Sequence, residues 1–426
     1  MPVRLFRCTG IYKRMNTLAQ APQEMSSISK KSKASPAFVE FVIIMSMMIS
    51  LTALSIDAML PALPQIGHDL GITNPNDRQL IVAIIFFGSA LGQLFFGPLS
   101  DKTGRKPAIY AGYAFFITGS LISVFSANFP VMLVGRIFQG FGLSAPQAVT
   151  LALVRDQFEG RRMARVMSFV MTVFVLVPMI APTIGQGILS VVGWRGIFSS
   201  FLVFALITVI WFALRIPETL APENRSPFSV KRILDSIREI LKIRPTLGYT
   251  ISVGLTQGVF IGYLNSAQQI FQEQYALGKL FPLFFATISL SLGMASLLNA
   301  RLVMRYGMHK LIQWAIGIAF GLAIIFLGIS TVLAGQPPLW FLMAYLMMSF
   351  FCTGILFGNL NALAMQPLGH LAGIGAAVIG SLSTLISMLL GTLIGRSYNG
   401  TVLPLVVGMT ALSGITIFII RWAASE

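Results

Sequence analysis

Charge is scarce in this chain. Of its 426 residues, 10% are Asp, Glu, Lys or Arg and 55% are hydrophobic, with a mean hydropathy of +0.80. A soluble domain carries roughly a quarter charged residues. There is too little charge here to cover a water-facing surface, so lipid must be the solvent for most of the chain. Cysteine is almost absent as well. Cys8 and Cys352 are the only two, and Cys352 lies inside an apolar run, which excludes a disulfide framework. Three histidines, His68, His309 and His370, come with no Cys/His cluster, so no metal site is expected and no other cofactor either. The phosphate loop G-x-x-x-x-G-K-S/T does not occur, which removes that route to a nucleoside triphosphate. No catalytic cluster and no soluble domain point to an enzyme or a receptor.

Long apolar runs take the place of what is missing. A helix needs about 20 mostly apolar residues to cross a bilayer. Twelve such runs can be drawn: 38–60, 79–98, 107–126, 130–152, 166–189, 196–214, 248–270, 281–299, 310–329, 339–358, 374–395 and 402–420. The expected fold is therefore an all-α membrane protein with twelve transmembrane helices, and an even number puts both termini on one side. The net charge of +16 sits in the gaps between the runs and forms no continuous face, so a nucleic-acid partner is not expected. With both termini inside, the inner segments hold 25 Lys and Arg, the outer loops hold Arg78, Arg195, Lys279 and Arg396, and Arg136 alone lies within a span. Excess Lys and Arg mark cytoplasmic loops, so N- and C-termini are expected to be cytoplasmic and the protein to be multi-pass in the cell inner membrane.

The longest inner gap divides the chain. Residues 1–37 are basic, polar and without an apolar core, so they read as a cytoplasmic disordered tail and not as a secretory signal. Residues 38–214 form an N-terminal six-helix bundle, 215–247 a cytoplasmic linker and 248–426 a C-terminal six-helix bundle. Inside the linker, Val230, Ile233, Leu234, Ile237 and Leu241 fall at helical spacing with charges between them, which predicts an amphipathic helix on the inner membrane surface. The halves echo each other. Gly97-Pro-Leu-Ser-Asp101-Lys-Thr-Gly104-Arg105-Lys106 returns 203 residues later as Ala300-Arg-Leu-Val-Met-Arg-Tyr-Gly307-Met-His, with Met304 where the first copy has Asp101. Two six-span halves related along the membrane normal are a known transporter architecture, and such a two-halved chain is expected to act as a monomer.

Charges inside the apolar runs carry the chemistry, because each costs at least ~2.5–3.5 kcal/mol at mid-bilayer. Two lie deep, Asp57 and Arg136. A carboxyl in that setting can take up and give back a proton, and an arginine there must find a partner or water. These two are the candidate proton-coupling residues, expected to act on each other directly or through water. Arg136, Gln139, Gly140, Leu143, Gln147 and Thr150 share one helical face, which predicts a stripe along a water-filled cavity. From the other half, Gln257, Phe260, Ile261, Leu264 and Gln268 supply a matching surface, so the substrate cavity is read as Gln139, Leu143, Gln147, Gln257, Phe260, Ile261, Leu264 and Gln268. An apolar pocket with few polar groups suits small neutral or amphipathic ligands. In the fifth run, Pro178, Pro182 and Gly185 are candidate hinge residues, since proline kinks a helix and glycine permits close approach.

The chain resembles the major facilitator superfamily and, within it, the twelve-span drug:proton antiporters. The loop Gly97 to Lys106 matches the superfamily's motif between spans 2 and 3, Arg136-Ile-Phe-Gln139-Gly140-Phe-Gly142 its span-4 motif, and Ala181-Pro182-Thr-Ile-Gly185-Gln186 its span-5 antiporter motif. Asp57-Ala-Met-Leu-Pro-Ala-Leu-Pro64, Arg155-Asp156, Gly193-Trp194-Arg195 and Pro217-Glu218-Thr219-Leu220 are similar to the Bcr/CflA subfamily. The resemblance implies export of bicyclomycin-, chloramphenicol- or sulfonamide-like compounds against inward proton flow. It also implies that Gly97, Asp101, Gly104, Arg105 and Lys106, joined by Arg155 and Asp156, form a latch at the inner gate. The expected partners are thus a small-molecule substrate, protons and the lipid bilayer. The alternative is a carrier of the same fold for one metabolite, such as a siderophore or a nucleoside.

Overall fold

The computed structural model describes residues 38–225 and 229–425. The expected disordered tail lies outside the described residues. Within them the regular structure is helical: α1 Phe38–Asp57, α2 Leu63–Asp69, α3 Leu80–Thr103, α4 Arg105–Val124, α5 Phe129–Gln157, α6 Gly160–Arg215, α7 Val230–Lys242, α8 Arg244–Gln268, α9 Phe281–Tyr306, α10 Met308–Val332, α11 Leu339–Met365, α12 Ala372–Arg396 and α13 Leu403–Ala424. Among the described residues, eleven helical stretches are long and apolar enough to cross a membrane. One of them, α6, runs 56 residues and is interrupted at Gly193, whose φ of 74° and ψ of −178° are not helical. The two expected runs 166–189 and 196–214 lie on either side of that break.

Most helices outrun the apolar segments that announced them. The run 310–329, for example, is part of Met308–Val332, because a helix can continue past the hydrocarbon into polar surroundings with its backbone bonds intact. The first run does the opposite. Expected over 38–60, α1 ends at Asp57, passes through a 3₁₀ turn at Leu60–Ala62 and restarts as α2. Pro61 and Pro64 cause this: each stands in the first turn of the piece that follows, where a missing N–H has no helical partner to lose, and neither could sit inside one continuous helix without cost.

The first half is built from α3 and α4 packed on α5, and α1 packed on α6; the second from α12 and α13 on α8, and α9 and α10 on α11. The halves meet where α3 lies along α12 and where α6 lies along α9. Glycine sets the closeness of several crossings. A Cβ on Gly140 of α5 would stand 1.9 Å from the Ile85 carbonyl oxygen of α3, and one on Gly185 of α6 would stand 1.7 Å from that of Ala58, just past the end of α1. Gly185, read as a hinge residue, is thus a contact point against the broken first helix, while Pro178 and Pro182 lie in backbone that stays helical. Replacing Gly185 by Leu is expected to prevent the native packing of α6, whereas Gly187→Leu, where a side chain meets open space, should fold normally. The yield of monodisperse protein on fluorescence-detected gel filtration, with a thermal melt, checks both.

The sequence echo is also a structural one. Gly104 (φ 106°, ψ 166°) separates α3 from α4, and Gly307 (φ 77°, ψ 160°) separates α9 from α10 in the same way. Both loops lie at the end of the bundle that carries most of the Lys and Arg, called the basic end below. The linker contains α7, whose apolar residues divide between packing and exposure. Ile240 and Ser236 are buried and Ile237 packs on the second half, while Leu234 and Leu241 remain 49% and 45% exposed. The helix rests one flank on α8 and α12 and leaves its neighbouring apolar flank free.

Candidate functional site

Arg136 on α5 is completely buried, and the fold supplies every partner it has. Its Nε donates to the Ile81 carbonyl (2.9 Å), one terminal nitrogen donates to the Ser55 carbonyl (3.1 Å) and to Gln139 Oε1 (2.7 Å), and the other donates to Ser55 again (3.2 Å). The guanidinium also lies over the Phe198 ring at 5.8 Å. The last carbonyls of a helix lack intrahelical partners and form its negative pole. Because α1 stops at Asp57, Ser55 presents such a carbonyl in mid-bundle, and a cation is the group that best satisfies it. The proline-driven break and the buried arginine are two parts of one arrangement.

Asp57 closes the same helix two residues later. It is 3% exposed and forms no hydrogen bond or ion pair among the described residues. Of the two expected routes of coupling to Arg136, direct contact is not made: every guanidinium contact among the described residues is to a carbonyl, an amide or a ring, and what links the two residues is the end of α1. On the other half, the hydroxyl of Tyr263 on α8 is buried without a hydrogen-bond partner among the described residues. Tyr263 stacks on Phe285 (5.8 Å) and meets Phe350 edge-on (4.8 Å), which fixes the ring. Further along α8, both polar atoms of the Asn265 amide and Gln268 Oε1 are likewise buried without partners. Unsatisfied buried polar groups are costly in folded proteins, and the Thr246 and Thr256 hydroxyls on the same helix are left without partners as well among the described residues. Tyr263 and Asn265 were not visible from the sequence, where a Tyr and an Asn in an apolar run carry no distinguishing pattern.

The two cavity walls need revision. Gln139 does not line a cavity: its amide bridges Arg136 to Ser120 Oγ on α4 (2.9 Å). Leu143 and Thr150 are also buried, because the striped face of α5 packs onto α3 and α4 at glycine-spaced distances instead of facing water. On α8, Ile261 packs against Gly391 of α12, Leu264 is in the core, and Gln268 donates to Gln272 (3.2 Å) and Glu273 (3.3 Å). Gln147, Gln257 and Phe260 remain partly open, with Phe260 edge-on to Phe350 at 6.0 Å. Arg136→Lys is expected to reduce transport to background and lower the melting temperature. A single ammonium cannot span Ile81, Ser55 and Gln139 together, and each buried acceptor left open costs about 1–3 kcal/mol. Matched transport and melting assays on the purified variant check this.

At the basic end, Arg105 gathers the loop motif. It donates to Asp156 Oδ2 (2.9 Å), Ser100 Oγ (2.9 Å) and Asp101 Oδ1 (2.6 Å). Gly104 gives the backbone its positive φ and leaves room for Glu218, whose carboxylate takes the N–H groups of Arg105 (2.8 Å) and Lys106 (2.9 Å) and so caps α4. Lys106 Nζ holds the Ala213 carbonyl (3.0 Å), and Gly97 approaches Ala377 of the second half. Arg155 is exposed and forms no ion pair or hydrogen bond among the described residues, so of the Arg155-Asp156 pair only Asp156 joins the network around Arg105. Among the described residues, the hydrogen bonds of Asp101, Arg105 and Asp156 stay within the first half and the start of the linker, at Glu218 and Thr219, and none crosses to the second half.

The opposite end is closed across the halves. Asn76 donates to the Arg396 and Tyr398 carbonyls (3.0 and 2.8 Å) and accepts from Gln269 (2.7 Å); Gln79 donates to Gln269 Oε1 (3.2 Å). Arg78 pairs with Glu273 (3.0 Å) and Arg396 with Asp77 (2.8 Å). Nearby, Trp194, beside the Gly193 break, donates to Asp69 at 2.8 Å and meets Phe198 edge-on, so the end of α2 is tied to the ring beneath Arg136.

Comparison with known proteins places this geometry. The model of the Major Facilitator Superfamily matches residues 45–392. An uncharacterized MFS-type transporter, YdgK, of Bacillus subtilis is 29% identical over 387 residues, 88% of this chain and 94% of that protein. A bicyclomycin resistance protein homolog of Haemophilus influenzae is 28% identical over 88% of this chain and 94% of its own length, and a chloramphenicol resistance protein of Pseudomonas aeruginosa 27% identical over 82% and 84%. Among solved structures, a partially occluded inward-open conformation of the xylose transporter XylE from E. coli superposes with a TM-score of 0.69 over 91% of this chain and 98% of that one, at 14% identity, a likeness of fold.

Proposed function

We propose that this chain, which belongs to the Major Facilitator Superfamily, exports small neutral or amphipathic compounds in exchange for protons by alternating access. It is a multi-pass membrane carrier and not an enzyme, and its relatives include drug-resistance proteins. The observation that carries the reading is Asp57: a buried carboxyl with no partner among the described residues, at the end of a broken helix whose end a fixed arginine holds. An acid so placed can exchange a proton with water when the halves part, and substrate can compete for the same space.

In this reading α6 crosses twice, with Gly193 between the crossings, giving twelve spans. The 25-to-4 bias of Lys and Arg supports a cytoplasmic basic end and cytoplasmic termini. The polar clasp of Asn76, Asp77, Arg78 and Gln79 then closes the outer side, and the conformation is one that faces inward. The site residues favoured are Asp57, Arg136 and Tyr263 for coupling, with Gln147, Gln257 and Phe260 on the partly open walls. Purified protein in liposomes tests the whole scheme: a chloramphenicol- or bicyclomycin-like compound should accumulate only when a pH gradient is imposed, and collapse of the gradient should abolish it. Transport that ignores the gradient would overturn proton coupling, and the absence of any change in drug susceptibility on overproduction would favour a carrier for one metabolite.

A further inference from the structure

The second half carries cations that it cannot neutralise. From Glu273 to the C-terminal Glu426 the sequence contains no Asp or Glu at all. In the first half the loop at Gly104 holds Arg105 among Asp101, Asp156 and Glu218. In the repeat of that loop, Met304 stands in place of the acid, and Arg301, Arg305 and Lys310 are exposed with no ion pair or hydrogen bond among the described residues. Their counter-ions must come from outside the bundle.

Beside these cations lies an apolar groove of about 620 Å³ between α9, α10 and α11, on the perimeter of the bundle. It runs from Tyr306 at the basic end to Ser291, roughly 22 Å along α9 at 1.5 Å per residue, longer than one leaflet of a ~30 Å hydrocarbon core. Leu302, Trp314, Ile318, Met348 and Phe351 line it, and Trp314, Ile318 and Met348 are about half exposed. At its mouth the Tyr306 and Trp314 rings meet at 5.3 Å, and the Arg305 guanidinium lies over Tyr306 at 5.2 Å. Lys310 stands one turn before Trp314 on α10. Aromatic side chains and free cations at this level suit the boundary between acyl chains and phosphates.

We propose that this groove is a binding site for an anionic phospholipid of the leaflet at the basic end, with one acyl chain along α9–α11 and the phosphate on Arg305 and Lys310, Arg301 standing at the rim. A zwitterionic lipid fills the groove equally well with its chains but brings no net charge to three unpaired cations. The site is separate from Asp57 and Arg136, and its test does not depend on transport.

The test uses the full chain in nanodiscs containing a small fraction of lipid brominated on the acyl chains, with a phosphatidylglycerol or a phosphatidylcholine headgroup. Trp314 supplies the signal, taken as the part of the tryptophan quenching that Trp314→Phe removes. Expected is several-fold stronger Trp314 quenching by the brominated phosphatidylglycerol, falling to the phosphatidylcholine level in the Arg305→Gln/Lys310→Gln variant. Equal quenching by both headgroups in the unaltered protein would overturn the proposal, as would a preference that survives the double substitution. Relief of the quenching by a transported drug would also overturn it, assigning the groove to the substrate's path. The far-ultraviolet spectrum and melting temperature of the double variant establish that loss of preference is not loss of fold.

Discussion

Reconstituted Asp57→Asn protein is expected to export nothing above empty vesicles under a pH gradient, and addition of substrate to it should release no protons. Asn has the shape of Asp and needs no counter-charge, so the end of α1, held by Arg136 through the Ser55 carbonyl, should survive and the protein should melt no lower than before. Only the exchangeable proton is removed. A proton-coupled exchanger lacking its proton carrier can still bind, so substrate affinity should change by less than the transport rate, and Asp57→Glu should recover part of the activity. The measurement is a pH-sensitive dye in weakly buffered protein, read on adding a chloramphenicol-like compound to wild type and to both variants. Proton release by Asp57→Asn equal to that of wild type would remove Asp57 from the mechanism and leave its burial without a purpose.

Much of this was legible in the amino-acid order. The scarcity of charge and the spacing of the apolar runs announce helices in lipid, and the repeat of Gly104 at Gly307 announces two related halves. Asp57 and Arg136 stand out because charge deep in a span is expensive. Their relation was not legible. Helical periodicity states which residues share a face but not what that face meets, and the polar stripe of α5 meets α3 and α4, so Gln139 serves Arg136 and not a cavity. Ile261 and Leu264 were misassigned for the same reason. Tyr263 and Asn265 acquire meaning only as buried groups left without partners, a property of packing. The role of Glu218 depends on a chain reversal 113 residues after the N–H groups it caps. Each of these is set by how segments distant in sequence pack together, and local pattern carries no information about that packing.

The clasp that the proposed orientation puts outside is the clearest such case, and locking it is expected to stop transport outright. Asp77 and Arg396 are separated by 319 residues, yet their side chains meet at 2.8 Å, with Arg78–Glu273 and the Asn76–Gln269–Gln79 amides beside them. Exposed ion pairs contribute ~0.2–1 kcal/mol each and neutral hydrogen bonds about 1 kcal/mol. A group of this size can hold the outer side shut yet open in every cycle, which is what alternating access requires. Permanent closure should therefore abolish export while leaving the fold intact. With Cys8 and Cys352 replaced by Ser, the pair Asp77→Cys and Arg396→Cys treated with a short bifunctional thiol reagent should lose transport in proportion to cross-linking, and a reducible reagent should allow recovery. Charge reversal works in the opposite direction. Arg78→Glu faces Glu273 with a like charge and should favour the outward-open state, by about tenfold in population for each 1.4 kcal/mol. Glu273→Arg alone should do the same, and the two together should restore the closed state. Labelling of a cysteine placed at Gln269 by a membrane-impermeant thiol reagent reports the opening. If a cross-linked outer clasp leaves export running, the halves do not part on that side, and the rocking of the two bundles around Asp57 is not how this protein moves its substrate.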